Sequence, residues 1–586
     1  MKMRNMKKMA LLILPLATLV FSCKKSSDFL ETKTNGITED MVFTDSIRTV
    51  AFLNGIYGDI AYSFNKGRWD SHGNTEQATD DAEYNFSGSG QKAVILYSGS
   101  VSPTNFPFTE FWNTPYANIR RVNLLMAKIG ASPLSAGMKT RMVAEARFLR
   151  CWYYYQLIVT FGGVPLVQDN VYGIDDLLNL PRNSFADCIN YVGSELDAVA
   201  QVLPATYAQD IDYGRATRGA CLALKAKMLL VAASPLFNGG AITSDAAVAP
   251  LVGYPTYSVS YWQKAADAAL AVINSNYYSL YTDNTTALGY GFPGVFLKRV
   301  NSEYIFAYHR TPNRDMEGFY NPPSRGGAKY SMPTQNLVDA FPMKNGKAPF
   351  NADGSVNTAS GYDPANPYAN RDPRFGYSII YNTSSYFSTT TNSKIPVFTY
   401  DGAATDGFGI GTTTGYYSRK MCDENISANS SSNTERGWPL IRYAEILLAY
   451  AEAINETGQT ALAYDPLKQL RQRAGIDPGS DGLYGLKANM TVAEMREIIR
   501  TERRVELAFE DQRWHDIRRW KIAMVTNNQF NKVMKITRSG TSPNFVYTYT
   551  VTESVRRHNF RPEMYLLPIP DDEIRKMPAM KQNPGW

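Results

Sequence analysis

The amino-acid sequence predicts a mainly α-helical protein: a frame of paired helices carrying two long irregular excursions, with strands a minor theme. Three observations carry this expectation. Apolar residues recur at spacings of three and four over eight separate segments, the signature of helices with one buried face. Between them, residues 63–114 and 276–437 shift to Gly, Ser, Thr, Asn, Pro and Tyr and lose that period. The 586 residues, 44% hydrophobic and 19% charged, supply enough apolar surface for a large core.

In chain order, the first element is a targeting segment. Lys2, Arg4, Lys7 and Lys8 precede the apolar run Met9 to Phe21, then the small Ser22 and Cys23. This is the layout of a secretory signal, and the run is shorter than the roughly 20 apolar residues of a membrane span. The expectation is a lipoprotein: residues 1–22 are removed, Cys23 takes the lipid (a palmitate-type anchor), and residues 23–45 form a tether. The alternative is a secreted protein in which Cys23 is incidental. Removal of the signal takes those four basic residues and no acid, so the whole-chain charge of +6 falls to +2. A nearly neutral mature chain without a basic cluster excludes a nucleic-acid partner.

The folded body is expected from residue 46 to 586 as one domain. Its helices are placed at about 46–62, 115–129, 138–161, 184–203, 216–234, 259–275, 438–457 and 491–521, so the frame covers about 46–62, 115–275 and 438–521. In the third, Val143, Ala146, Leu149, Tyr153 and Leu157 share a face, and Gly162 and Gly163 stop the helix. In the fifth, Ala220, Ala223, Ala226, Ala232 and Ala233 let neighbours approach closely. Helices in pairs suggest tetratricopeptide-like hairpins. Cys151, Cys188, Cys221 and Cys422 are widely spaced, which predicts buried free thiols. With four scattered histidines and no H-E-x-x-H spacing, neither a metal nor any other cofactor is expected.

The excursions exceed the length of ordinary connections, so they are either functional or disordered. Their aromatic content favours function. Of the eight tryptophans, Trp69 stands in a loop without a structural assignment, near Arg68, Asp70, Asp80 and Asp81. A flat ring with polar groups nearby suits sugar recognition; the alternative is that Trp69 covers the core beneath its loop.

Two motifs invite catalytic readings. The segment Arg500 to Lys521 offers Glu506, Glu510, His515 and Asp516 as acids or bases. Charges at spacings of three and four equally make a helix laced with ion pairs that meets Glu445 and Glu452, and this structural reading is favoured. Gly289, Gly291 and Gly294 match G-x-G-x-x-G, but Pro293 lies inside and no strand precedes it, so the phosphate-loop context is missing.

Eight segments resemble, in order, those of the SusD/RagB family of nutrient-binding outer-membrane lipoproteins of Bacteroidota. They are E-A-R-F-L-R-C-W-Y-Y-Y-Q-L-I-V-T-F-G-G-V-P-L-V (145–167), G-R-A-T-R-G-A-C-L-A-L-K-A-K (214–227), P-T-Q-N-L-V-D-A-F (333–341) and R-D-P-R-F (371–375). The rest are W-P-L-I-R-Y-A-E-I-L-L-A-Y-A-E-A-I-N-E (438–456), R-T-E-R-R-V-E-L-A-F-E-D-Q-R-W-H-D-I-R-R-W-K (500–521), Y-L-L-P-I-P (565–570) and Q-N-P-G-W (582–586). The resemblance implies a SusD-like fold and a non-catalytic role. The protein would capture a nutrient oligomer, most simply a glycan, at the cell surface and deliver it to a TonB-dependent, SusC-like β-barrel as a lid. It also implies a ligand arc from about 65–110 and 285–330, on which Tyr84, Phe86, Phe106 and Tyr320 are candidate rings and Arg325 a donor. Alternatives are a peptide-binding member, a surface glycoside hydrolase with paired carboxylates and a helical-repeat adaptor.

Overall fold

The computed structural model describes residues 38–61, 73–85, 91–173, 176–207, 210–240 and 242–586. Cys23, Trp69 and Phe86 lie outside the described residues. The frame is built from helices α1 (Ser46–Tyr57), α2 (Glu110–Lys128), α3 (Ala136–Phe161), α4 (Phe185–Ala200), α5 (Arg218–Ala233), α6 (Val259–Asn274), α7 (Tyr443–Glu456), α8 (Val492–Glu506) and α9 (Arg513–Arg519).

Local chemistry sets most helix starts. Asp45, Ser135, Ser184, Thr217 and Ser258 each accept a first-turn backbone N–H, and Thr491 forms a capping box with Glu494. The end of α3 is set by Gly162, whose φ of +84° suits glycine. Each helix from α2 packs on the next as far as α8. The Ala220, Ala223, Ala226, Ala232 and Ala233 series is buried in this stack, as are Leu149, Tyr153 and Leu157 of α3. Cys151, Cys188, Cys221 and Cys422 are buried free thiols.

Four differences from expectation have physical causes. Residues 437–442 are extended, because this strand, β4 (Gly437–Arg442), pairs antiparallel with β2 (Tyr304–His309), and α7 begins only at Tyr443. The segment 491–521 is two helices rather than one: the chain turns between α8 and α9 through Phe509 and Asp511, both at φ +59°. A long antiparallel ribbon, β5 (Phe530–Thr541) with β6 (Asn544–Arg557), follows α9. It is the largest β element missed, although F-V-Y-T-Y-T-V-T at Phe545 to Thr552 has strand chemistry. Finally, Glu39–Phe43 is already helical with Phe43 buried, so the body starts ahead of the expected end of the tether at residue 45.

The excursions are neither separate nor shapeless. Strand β1 (Ala82–Tyr84) of the first pairs antiparallel with β3 (Ser331–Pro333) of the second, in the register Ala82 with Pro333 and Tyr84 with Ser331. Gln77 Nε2 adds a hydrogen bond to the Tyr330 carbonyl at 2.7 Å. Among the described residues no helix is long and apolar enough to cross a membrane.

Candidate functional site

The two stretches nominated for ligand contact meet through β1 and β3, but the individual side chains serve the interior. Asp80 takes Arg513 in a bidentate grip (2.8 Å to both oxygens) and Arg504 at 2.9 Å, while Asp81 takes Arg504 at 2.6 Å. Burial opposes the Asp80 carboxylate, yet Arg504 and Arg513 outweigh it and hold its pKa at about 2. In Asp81 burial prevails, with Asp80 adding like charge, and the pKa rises. The pair clamps the first excursion to α8 and α9, and it is corrected here from sugar-hydroxyl acceptor to clamp.

The rings are corrected in the same way. Tyr84 is 1% exposed, with its hydroxyl 3.2 Å from Gln91 Oε1. Phe106 packs edge-on against Phe108 and Phe161. Tyr320 is 2% exposed, meets Phe509 edge-on and accepts from Asn74 Nδ2 at 3.4 Å. Arg325 directs its guanidinium at the carbonyls of Phe387 and Ile395. None of the four presents a ring face or free fork to solvent.

A recess of about 120 Å³ opens at the seam between frame and excursions. Ala61 and Thr75, which flank residues 62–72 in sequence, line it, together with Trp152 and Tyr155 of α3, Trp438 of β4 and Trp514 and His515 of α9. Its polar wall includes Gln156, Thr160, Lys227, Glu510, Gln512 and Asp511, whose carboxylate accepts from the Thr75 hydroxyl at 2.7 Å. Lys227 pairs with Glu445 and donates to Gln512 Oε1 at 3.2 Å; burial lowers its pKa against the pull of Glu445. Burial, helped by the positive charges of Arg518 and Lys227, drives the pKa of His515 down to about 3, so its imidazole is neutral at neutral pH. Among the described residues, neither the His515 ring, the Trp514 indole N–H nor the Tyr155 hydroxyl has a hydrogen-bond partner. The recess is thus lined by three largely buried indoles and a neutral donor–acceptor ring, a lining suited to a small uncharged polar group. At roughly 30 Å³ per water, its volume holds about four waters, the tip of a ligand rather than a whole oligomer.

In sequence Trp152, Trp438 and Trp514 fall inside the segments that resemble the family's, which points to a structural role. Trp152 donates to the Ile60 carbonyl at 3.1 Å, which anchors the end of α1. What unites them is tertiary: residues 61, 152, 227, 438 and 515 converge only in the fold. The carboxylates behind the recess are committed to ion pairs. Glu510 is held by Arg442 at 2.7 Å and Lys420 at 2.6 Å, Glu506 by Arg442 at 2.7 Å and Arg374 at 2.9 Å, and Glu452 by Arg519 at 2.5 Å. The structural reading of Arg500 to Lys521 therefore holds.

Frame, clamped excursions and recess together define a class: mainly α proteins in which strands are a minor part and a loop layer rests on a helical scaffold. The chain belongs to the SusD/RagB family. The model described as "SusD family" matches residues 296–586, and a second, described as "Starch-binding associating with outer membrane", matches residues 28–230. The chain is similar to a SusD-like protein from Bacteroides fragilis, with 25% identity, a TM-score of 0.74 and coverage of 94% of this chain and 99% of that one. It also resembles a SusD-like carbohydrate binding protein from the same species (25%, TM-score 0.71, 92% and 100% covered). Among curated relatives, SusD-like protein P2 of Formosa agariphila is 23% identical, with 83% of this chain and 82% of the relative covered.

Proposed function

We propose that this protein is an outer-membrane lipoprotein, anchored through Cys23 and facing the cell exterior. It would capture a glycan oligomer without catalysis and pass it, as a lid, to a TonB-dependent SusC-like β-barrel. The observation that carries the glycan reading is the recess itself: Trp152, Trp438 and Trp514 beside the unpartnered, neutral His515. Family membership supports it, as does the likeness to a SusD-like carbohydrate binding protein that is 25% identical. A non-catalytic role fits the carboxylates of α8 and α9, which ion pairs hold away from acid–base work.

Trp69 remains part of the proposal. It lies in sequence between Ala61 and Thr75, both of which line the recess. Binding is expected to be modest, since a small recess buries little surface and ordering a flexible ligand costs free energy.

The test is a screen of the soluble chain from Lys24 onward against glycan and peptide libraries, followed by calorimetry on the best ligand. His515→Gln and Trp69→Ala should each weaken binding about tenfold, about 1.4 kcal/mol, while melting temperatures stay within a few degrees. Unchanged affinity in both variants would remove the site; peptides alone binding would replace glycan with peptide. Copurification of a large β-barrel after mild detergent extraction checks the lid role, and protease accessibility on intact cells checks the face.

A further inference from the structure

The ribbon β5–β6 has a buried base and an exposed end. On the face that carries Met534 and Ile536 into the core, the next position outward is Arg538, paired across the ribbon with Tyr547. The Arg538 guanidinium lies 4.2 Å from the ring centre of Tyr400 and 4.3 Å from that of Phe545. Among the described residues it has neither a carboxylate nor a hydrogen-bond acceptor, although its neighbour Lys535 pairs with Asp401 at 3.0 Å. Stacking on rings fixes the plane of a guanidinium and leaves its N–H edge open, which is the geometry that takes an oxyanion with two parallel hydrogen bonds. Phe398, 41% exposed and edge-on to Tyr400, and Phe545, 37% exposed, supply apolar ring surface beside it. Of the ribbon's other basic residues, Lys535 is paired with Asp401, and Lys532, Arg556 and Arg557 stand at the base, which leaves Arg538 as the charge of the exposed end.

We propose that the end of the β5–β6 ribbon is a second saccharide-contact site, separate from the recess, that recognises an anionic substituent on a sugar ring. Arg538 holds the oxyanion, and Phe398 and Phe545 contact the pyranose. The chemistry is shared by a uronate carboxylate and a sulfate ester. The inference rests on the glycan-binding reading for its ligand class, but not on the recess for its geometry.

Affinity electrophoresis of the soluble chain in gels containing polygalacturonate, dextran sulfate or neutral dextran tests it, with wild type, Arg538→Ala, Arg538→Lys and His515→Gln compared. Retardation by at least one anionic polymer is expected, weakened at least about fivefold in Arg538→Ala and less in Arg538→Lys, which keeps the charge but loses the fork. Which anionic gel responds tells carboxylate from sulfate. The proposal is overturned if wild type is retarded by neither anionic polymer, or if Arg538→Ala is retarded as strongly as wild type. Loss of neutral-glycan binding in His515→Gln alone bears on the recess and not on this site.

Discussion

Glu506 shows how much of this fold rests on single buried charges. Its carboxylate is fully buried and meets three guanidinium groups, from Arg374, Arg442 and Arg473. Burial alone would raise its pKa; Arg473, Arg442 and Arg374 reverse that and hold it well below the usual carboxylate range. Glu506→Gln keeps the shape but leaves the cluster one negative charge short, so destabilisation of about 3–5 kcal/mol is expected, read as a lowered urea midpoint at neutral pH. A change below about 1 kcal/mol would mean that the arginines find other partners. The sequence made the ion-pair character of Arg500 to Lys521 legible, because spacing within one segment reveals it. It did not reveal that Asp80 and Asp81 belong to the same kind of clamp. Their arginines lie more than 420 positions away, and an Asp pair in a loop looks the same whether it faces sugar or guanidinium.

At the scale of elements, the glycine stop after Phe161 was the most legible signal, since it acts within one turn of the chain. Gly162 is the sharpest case. Its φ of +84° and ψ of −141° lie in a region that is essentially glycine's own, and a Cβ there would stand 2.6 Å from the Leu251 carbonyl oxygen. Gly162→Ala should therefore cost about 1–3 kcal/mol from backbone strain alone, with the clash adding to it. Thermal unfolding followed by circular dichroism would show it as a drop of several degrees, whereas Gly137→Ala, near the start of the same helix with open space around its Cβ, should show none. Elements decided by a distant partner were less legible. Residues 437–442 became a strand because β2 lies alongside, and β5–β6 was passed over because its alternation follows a long helical pattern. The recess was illegible for the same reason: its aromatics satisfied local helix and strand patterns before they satisfied a ligand.

The frame and the excursions form one body largely through buried carboxylate–arginine contacts, and this gives the whole molecule a characteristic pH response. Glu502, Glu506, Glu510 and Asp516 all have lowered pKa values: burial opposes ionisation in each, and the adjoining arginines, with Lys420 for Glu506 and Glu510, outweigh it. Asp80, at about 2 against an ordinary 3.8, belongs with them. For a group of this kind the unfolded chain binds the proton more readily, so its stabilisation is complete above the unfolded pKa and lost as pH falls through the folded one. Asp80 and Glu506 both contribute in this sense. Glu76 and Asp81 act oppositely, since burial raises their pKa values and their contribution is lost as pH rises. They soften the acid response without reversing it, because each protonation in the paired set also strands a buried arginine. Tryptophan fluorescence in urea should accordingly give a midpoint that begins to decline below about pH 6.5, where the unfolded chain takes up protons that the buried, neutral His309 and His515 refuse, and that falls more steeply between about 4 and 2. Glu506→Gln should start lower and fall less, having already lost one of the groups that titrates. A wild-type midpoint that stays level to pH 2 would mean that these carboxylates are not held by charge, and that the excursions are fixed to the frame by packing alone.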